Sequence, residues 1–235
     1  MHILITCEHA THVVPTALQA EFRGARQALR SHRGHDIGAL PVAKQMAKEL
    51  EAPLVCASVS RLVIDANRSL HHPRLFSEWT RGLPDWHKAD LIRTWWEPHR
   101  RRVEAFVEEL SSRSGPVLHF GVHSFTPVLD GVVRDADLAL LYDPSRELEA
   151  RFAREWSKAP SLKSRGFRLR RNYPYRGISD GLTTALRRSF SKRKYLGFEI
   201  EMNQELFAQR GRARELASVL VDAIRSSVRS AIGGQ

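Results

Sequence analysis

Cysteine is nearly absent from this chain: Cys7 and Cys56 are the only two, which rules out a disulfide framework and leaves one optional bridge at most. Long hydrophobic runs are missing too. No stretch approaches the roughly 20 apolar residues needed to cross a bilayer, and the first residues enter a strand-like run without a charged and apolar leader. The expectation is a cytoplasmic protein with no membrane partner. Internal repeats and low-complexity tracts are also lacking, and the even spread of apolar runs predicts one domain over residues 1–235.

Acidic residues are in short supply. There are 26 Asp and Glu against 37 Lys and Arg, a formal net charge of +11, and the imbalance is local. Between Arg151 and Lys194 stand 14 basic residues against Glu155 and Asp180. Such a field draws in a small anionic substrate or holds nucleic acid nonspecifically, and a solvated basic face is the plainer alternative.

What the chain does have is three apolar runs that break off into acid/base or metal-type side chains. His2–Thr6 leads into Cys7, Glu8 and His9; Val117–Val122 into His123 and Ser124; Leu196–Ile200 into Glu201, Met202 and Asn203. Short β-rich runs of this kind read as strands covered on both faces. In open α/β sheets the ligand crevice lies beyond the carboxyl ends of the strands. If the three are parallel, His9, His123 and Glu201 reach one rim, where two imidazoles and a carboxylate suit a hydrolytic zinc site.

Between these runs the pattern turns helical. Asp36 precedes an amphipathic segment through Leu50, with Val42, Met46 and Leu50 on one face. Leu54–Ala57 reads as a strand and Leu62–Ile64 as a short extended piece that delivers Asp65, Ala66, Asn67 and Arg68. Residues 69–87 lack a clear period and predict a long loop. Residues 89–112 predict a helix that Pro98 bends or interrupts. A strand at 138–142, a helix at 147–156 and a helix at about 212–230 complete the reading, with Gly233 and Gly234 fraying. Strands that alternate with helices imply a largely parallel sheet between helical layers.

Each candidate residue has a plainer reading beside the chemical one. His9 stands at a strand end beside Glu8; an isolated His is more often a hydrogen-bonded structural residue. It does not fit the helical metalloprotease pattern, since His12 lies three residues on and the segment is not helical. His123 follows an apolar strand, so burying it calls for a polar partner, which a cation supplies. His119 shares its face by strand alternation and reads as a core His or a support behind His123. Glu201 beside a metal is positioned to take a proton from water and deliver it to a leaving amine; alone, it is a strand-end carboxylate paired with an arginine. Asp36 is either an N-cap or the oxygen that completes a zinc shell, with Glu8 the competing carboxylate. Arg61, Arg68 and Arg176 supply forks that grip a substrate carboxylate, with Asn67 beside Arg68, or they are surface charge.

At these positions the chain resembles the N-formylglutamate amidohydrolase family and, more remotely, the zinc carboxypeptidases. The similarity runs in order through Cys7-Glu8-His9, Val14-Pro15, His35-Asp36-Ile37-Gly38-Ala39, Ser60 to Arg68, His123-Ser124-Phe125, Asn172 to Gly177 and Glu199 to Asn203. The resemblance implies a three-layer α/β/α fold with a mostly parallel mixed sheet of the zinc-peptidase, phosphorylase/hydrolase-like kind. It also implies a Zn²⁺ cofactor, and conversion of N-formyl-L-glutamate and water to L-glutamate and formate, a reaction of histidine degradation. By that match His9 and His123 are metal ligands, Glu201 is the base, and Asn67 and Arg68 clamp a carboxylate. A carboxypeptidase has its ligand Glu three residues after the first His, where this chain has His12, which leaves the third ligand to Asp36 or Glu8.

The expectation is therefore a zinc-dependent amidohydrolase for a small anionic N-acyl amino acid. Its metal ligands are His9, His123 and Asp36 or Glu8; Glu201 is the base, Arg61 steadies the oxyanion, and Arg68 and Arg176 bind carboxylates. Two rivals remain. One makes Cys7 a nucleophile, which requires access and a depressed pKa. The other is a basic nucleic-acid-binding protein on an inactive hydrolase scaffold, with Phe167, Tyr173, Tyr175, Phe190 and Tyr195 interleaving the basic block for stacking.

Overall fold

The computed structural model describes residues 1–209 and 211–231; the expected fraying at Gly233 and Gly234 lies outside them. The strands are β1 (His2–Cys7), β2 (Leu54–Cys56), β3 (Val117–Phe125), β4 (Val128–Leu129), β5 (Val132–Val133), β6 (Leu138–Leu141), β7 (Leu169–Arg171) and β8 (Tyr195–Asn203). The helices are α1 (Arg26–Leu29), α2 (Ala39–Glu49), α3 (Asp85–Leu91), α4 (Glu97–Ser111), α5 (Glu147–Trp156), α6 (Pro160–Lys163), α7 (Leu182–Ser189) and α8 (Arg212–Ala231). No helix among the described residues is long and apolar enough to cross a membrane.

Six strands form one mixed sheet in the order β2-β1-β3-β8-β6-β7, while β4 and β5 make a separate hairpin. β2, β1, β3 and β8 run parallel, β6 joins β8 antiparallel, and β7 runs parallel to β6. The three chemistry-bearing runs are thus adjacent parallel strands, and their carboxyl ends share one rim.

The two sheet faces differ in character. Ile5, Cys7, Phe120, Phe198 and Ile200 point to one side, where they pack on Val42 and Met46 of α2, Phe152 and Trp156 of α5 and Leu220 of α8. Phe120, Phe152 and Phe198 meet there with ring centroids 4.6–5.7 Å apart. On the other side Leu4, Val117 and Tyr195 pack on Val103 and Val107 of α4 and on Leu182 and Leu186 of α7. Strand alternation puts Glu8, His119, Gly121, His123, Glu199 and Glu201 on this second side. Its apolar cover stops short of the rim, and the polar residues line the gap.

Several local details depart from the sequence reading. Residues 61–63 form a turn where an extended piece was expected, because Ser60 Oγ accepts from Leu62 N–H and the Ser60 carbonyl from Val63 N–H, closing the chain at once. Asp36 does not cap α2: Gly38, at φ +83°, precedes the helix, and the Phe207 ring lies so close to its Cα that no side chain fits there. Pro98 sits in the first turn of α4, and the irregularity falls before it, as a wide π-type turn over Ile92–Trp96. β7 and α7 carry no apolar run long enough to announce themselves. β7 is an edge strand whose arginines are exposed, and Arg168 and Arg170 bond Asp135 across the sheet end.

Candidate metal centre and active-site rim

His9 lies in the turn that leaves β1, and its carbonyl accepts the Asp36 N–H at 3.0 Å, which draws the segment before α2 against the end of the strand. The Ser124 backbone N–H and the His123 imidazole, both from β3, then reach the Asp36 carboxylate. Oδ2 of Asp36 accepts from Ser124 N at 3.2 Å and stands 3.0 Å from His123 Nδ1 and 3.3 Å from His9 Nδ1. All three side chains are buried.

These donor atoms lie within 4.8 Å of one another, and the group could hold a metal ion. Two imidazole nitrogens and a carboxylate oxygen suit a borderline divalent cation. A tetrahedral shell with bonds of about 2.0–2.1 Å has ligand–ligand edges of about 3.3 Å, close to both Nδ1–Oδ2 separations. Between Asp36 and Glu8, the geometry brings Asp36 to the shared Nδ1 side. Glu8 takes the far nitrogen of His123, with Oε2 3.0 Å from Nε2, while His99 Nε2 lies 3.8 Å from Oε1. Asp65 does the same for His9, accepting from Nε2 at 2.8 Å. Each imidazole therefore has a carboxylate behind it, the arrangement that fixes ring orientation in metal sites.

Charge balance in the cluster follows from this contact pattern. Burial alone would depress the His123 pKa, but Asp36 and Glu8 on its two nitrogens outweigh this and hold it well above the usual value. Burial would likewise raise Asp36, yet the flanking His9 and His123 keep it well below the ordinary carboxylate range. Gly121 lies beneath: an added Cβ would come within 3.3 Å of His123 Nε2, so the ring settles against a strand that carries no side chain at that point.

Glu201 pairs in register with His123 on the neighbouring parallel strand and shares its face. Its Oε2 is buried without a hydrogen-bond partner, and burial, helped by the charges of Asp36 and Glu199, pushes its pKa up to about 8 against the pull of His123. A desolvated carboxyl poised near neutrality beside a cation-type cluster is equipped to exchange a proton.

Arg61 bridges two carboxylates of the cluster, with Nη1 3.4 Å from Asp36 Oδ1 and Nη2 3.0 Å from Asp65 Oδ2, and remains 25% exposed. It lines two clefts that flank the cluster. One, of about 390 Å³, also contains Asp65, Arg68, Arg74 and Arg81; the other, of about 200 Å³, contains Asp36, Ser124, Phe125, Arg134 and Tyr175. The loop carrying Asp65 and Arg68 is fastened from beneath: Arg100 donates to the Ala66 and Arg68 carbonyls at 3.0 Å and Trp96 Nε1 to Arg68 O at 2.8 Å. A larger cavity of about 570 Å³ opens at the other end of the strands beside Pro116, Arg146 and Leu196; no residue of the cluster lines it.

Other expected site residues fall elsewhere. Asn67 spends its Oδ1 on the Leu182 N–H at the start of α7, at 2.7 Å, so it ties that helix to the Arg68 loop. Arg176 is exposed on the 172–177 loop and lines neither cleft beside the cluster. His12 stands exposed beside His35 and is not part of the cluster. Cys7 is fully buried on the apolar side of β1, and burial holds its thiol well above the ordinary value, which removes it as a nucleophile. The basic block is likewise divided. Arg187 is buried against Glu149, Tyr195 is in the core and Phe190 packs on it, so these do not face a strand of nucleic acid. Sequence reasoning missed His99 and Arg134. His99 sits on a helix as one more polar position, and Arg134 directly follows a short exposed hairpin.

The same architecture is found in solved structures. The gene product Atu2144 of Agrobacterium tumefaciens superposes with a TM-score of 0.82 at 26% identity, over 97% of this chain and 90% of that one. N-formylglutamate amidohydrolase from Ralstonia eutropha JMP134 superposes with a TM-score of 0.70 at 17% identity, over 98% and 94% of the two chains. No curated protein matches the sequence. Residues 1–208 match the family described as N-formylglutamate amidohydrolase, and the chain belongs to that family.

Proposed function

We propose that this protein is a zinc-dependent amidohydrolase that converts N-formyl-L-glutamate, or a closely related small N-acyl amino acid, and water into the free amino acid and formate or the corresponding acid. The observation that carries the reading is the meeting of His9 Nδ1, His123 Nδ1 and Asp36 Oδ2 beside a partnerless buried Glu201. Zn²⁺ held there would polarise the amide carbonyl and bring the pKa of its water to around 7.

The chain's own groups do the rest. Glu201, buried beside the cluster with an oxygen that no other group occupies, accepts a proton from the attacking water and returns it to the departing amine nitrogen. Arg61, held by Asp36 and Asp65, presents its guanidinium to the developing oxyanion. Arg68 binds the α-carboxylate from the wider cleft, and Asn67 supports it through α7. Asp65 and Glu8 keep the two imidazoles aimed. The same reading places the whole 235-residue chain in the cytoplasm as one domain.

Metal analysis of freshly purified protein together with formate release from N-formyl-L-glutamate tests it. About one zinc per chain and activity abolished by a chelator and restored by Zn²⁺ are expected. A protein that carries no zinc, and hydrolyses the amide in the presence of a chelator, overturns it.

A further inference from the structure

Arg134 is only 8% exposed, a burial at which a guanidinium ordinarily has a carboxylate on its fork. Among the described residues it has none. The nearby acids are taken: Asp135 pairs with Arg168 and Arg170, and Asp137 with Arg168. What encloses Arg134 is aromatic. Its Cζ lies 5.2 Å from the centre of the Tyr175 ring and 5.9 Å from that of Phe125. The two ring faces cover the flat of the guanidinium, and no side chain among the described residues takes its N–H donors, which open on the cleft.

The position of those donors matters. Arg134 lines the 200 Å³ cleft whose wall also contains Asp36 of the metal cluster and Arg61. The β4–β5 hairpin precedes it, and its backbone N–H is fixed on the Pro127 carbonyl at 2.8 Å. Arg68, assigned above to the α-carboxylate, lines the other cleft, across Arg61. A molecule with its amide at the cluster and two carboxylates thus meets an arginine on either side.

We propose that Arg134 is the specificity-determining residue of this site, receiving the side-chain carboxylate of the substrate between Phe125 and Tyr175, so that the enzyme selects N-acylated acidic amino acids over their neutral isosteres. This rests on the amidohydrolase reading for the reacting half of the molecule, while the anion-binding half stands independently. A Lys at 134 would keep the charge but lose the planar fork that the slot between the rings fits.

The test compares N-formyl-L-glutamate with the isosteric neutral N-formyl-L-glutamine on the zinc-loaded enzyme. The wild type should favour the glutamate compound. Arg134→Met should lower kcat/KM for it by about 100-fold, mostly through KM, with a much smaller loss on the glutamine compound. Arg134→Lys should fall between. Equal losses on both substrates, or a preference that survives Arg134→Met, overturn the proposal, and an unchanged thermal melt shows that the variant is folded. If Arg134→Met does not fold, an Arg134→Lys enzyme with undiminished preference overturns it. Calorimetric titration with glutarate and butyrate separates this inference from the reaction: glutarate should bind the wild type at least about tenfold more tightly, a margin Arg134→Met removes. Hydrolysis of neither compound with that margin present defeats the amidohydrolase reading and supports Arg134. Equal affinities for the two acids defeat Arg134, whatever the enzyme hydrolyses.

Discussion

His9 and His123, 114 residues apart in sequence, stand with their ring centroids 5.1 Å apart and their planes at 62°, and both turn Nδ1 toward the same oxygen of Asp36. The far nitrogen of each ring faces another carboxylate, Asp65 for His9 and Glu8 for His123. Roles within this set can therefore be separated by substitution.

Removing Asp36 and removing Glu8 should have unequal effects. Asp36→Asn or His123→Ala should reduce bound zinc, measured by elemental analysis after dialysis, to a small fraction of one per chain. Glu8→Gln should weaken zinc affinity by about 10–100-fold while the stoichiometry at saturating metal is kept. If Glu8→Gln loses the metal outright and Asp36→Asn retains it, the assignment of the third ligand is reversed.

Glu201→Gln should keep both the metal and the fold and lose activity. The amide is nearly isosteric but cannot accept a proton, so kcat should fall by about 10²–10⁴-fold with zinc content unchanged. Formate release in a single-turnover assay reads this directly, and a variant with near-normal kcat would take Glu201 out of the reaction.

Acid stability should report on His119. This imidazole is fully buried between Thr6 Oγ1 at 2.8 Å and the Tyr195 hydroxyl at 2.7 Å, and burial lowers its pKa to about 4. The unfolded chain takes up the proton below about pH 6.5, whereas the folded protein resists it until about pH 4. Its contribution is thus complete above pH 6.5 and declines as the pH falls toward 4, by about 3 kcal/mol. Urea unfolding at pH 7.5 and pH 4 should show that much extra loss in the wild type over His119→Gln. Parallel pH dependences in the two proteins would contradict it.

The Glu149–Arg187 pair should behave as a buried ion pair. Glu149 is fully buried; Arg187 Nε donates to both of its oxygens at 3.1 Å, and the Asp143 and Gly197 N–H groups supply further bonds. Arg187→Met strands the carboxylate and should destabilise the protein by about 3–5 kcal/mol, with Glu149→Met/Arg187→Met recovering much of the loss. Thermal melts of the single and double variants measure this; a double variant no better than the single one would show that the pair's backbone bonds, and not its charges, carry the stability.

The rim was legible because period and position survive in one dimension. The apolar runs before Glu8-His9, His123-Ser124 and Glu201 name their own strands. Asp36 was harder. Its place before a helix made capping a sufficient explanation, and Gly38 at positive φ, two residues on, removed it.

Arg134, His99 and Asn67 could not be read in the same way. Their surroundings are built by contacts between distant segments: Phe125 and Tyr175 around Arg134, Glu8 opposite His99, Leu182 on Asn67. A charged residue in a polar stretch looks the same in sequence whether solvent or a buried cleft awaits it.

By itself the sequence determined the layered α/β architecture, the strands that carry His9, His123 and Glu201, and the family, since hydrophobic periodicity and ordered motifs are local properties of the chain. Tertiary structure alone decided that Asp36 joins the imidazoles while Glu8 backs one of them, that β6 turns antiparallel against β8, and that Arg134 is buried without a partner. The physical reason is that burial and pairing depend on what the rest of the fold brings within a few ångströms, which no short window of residues encodes.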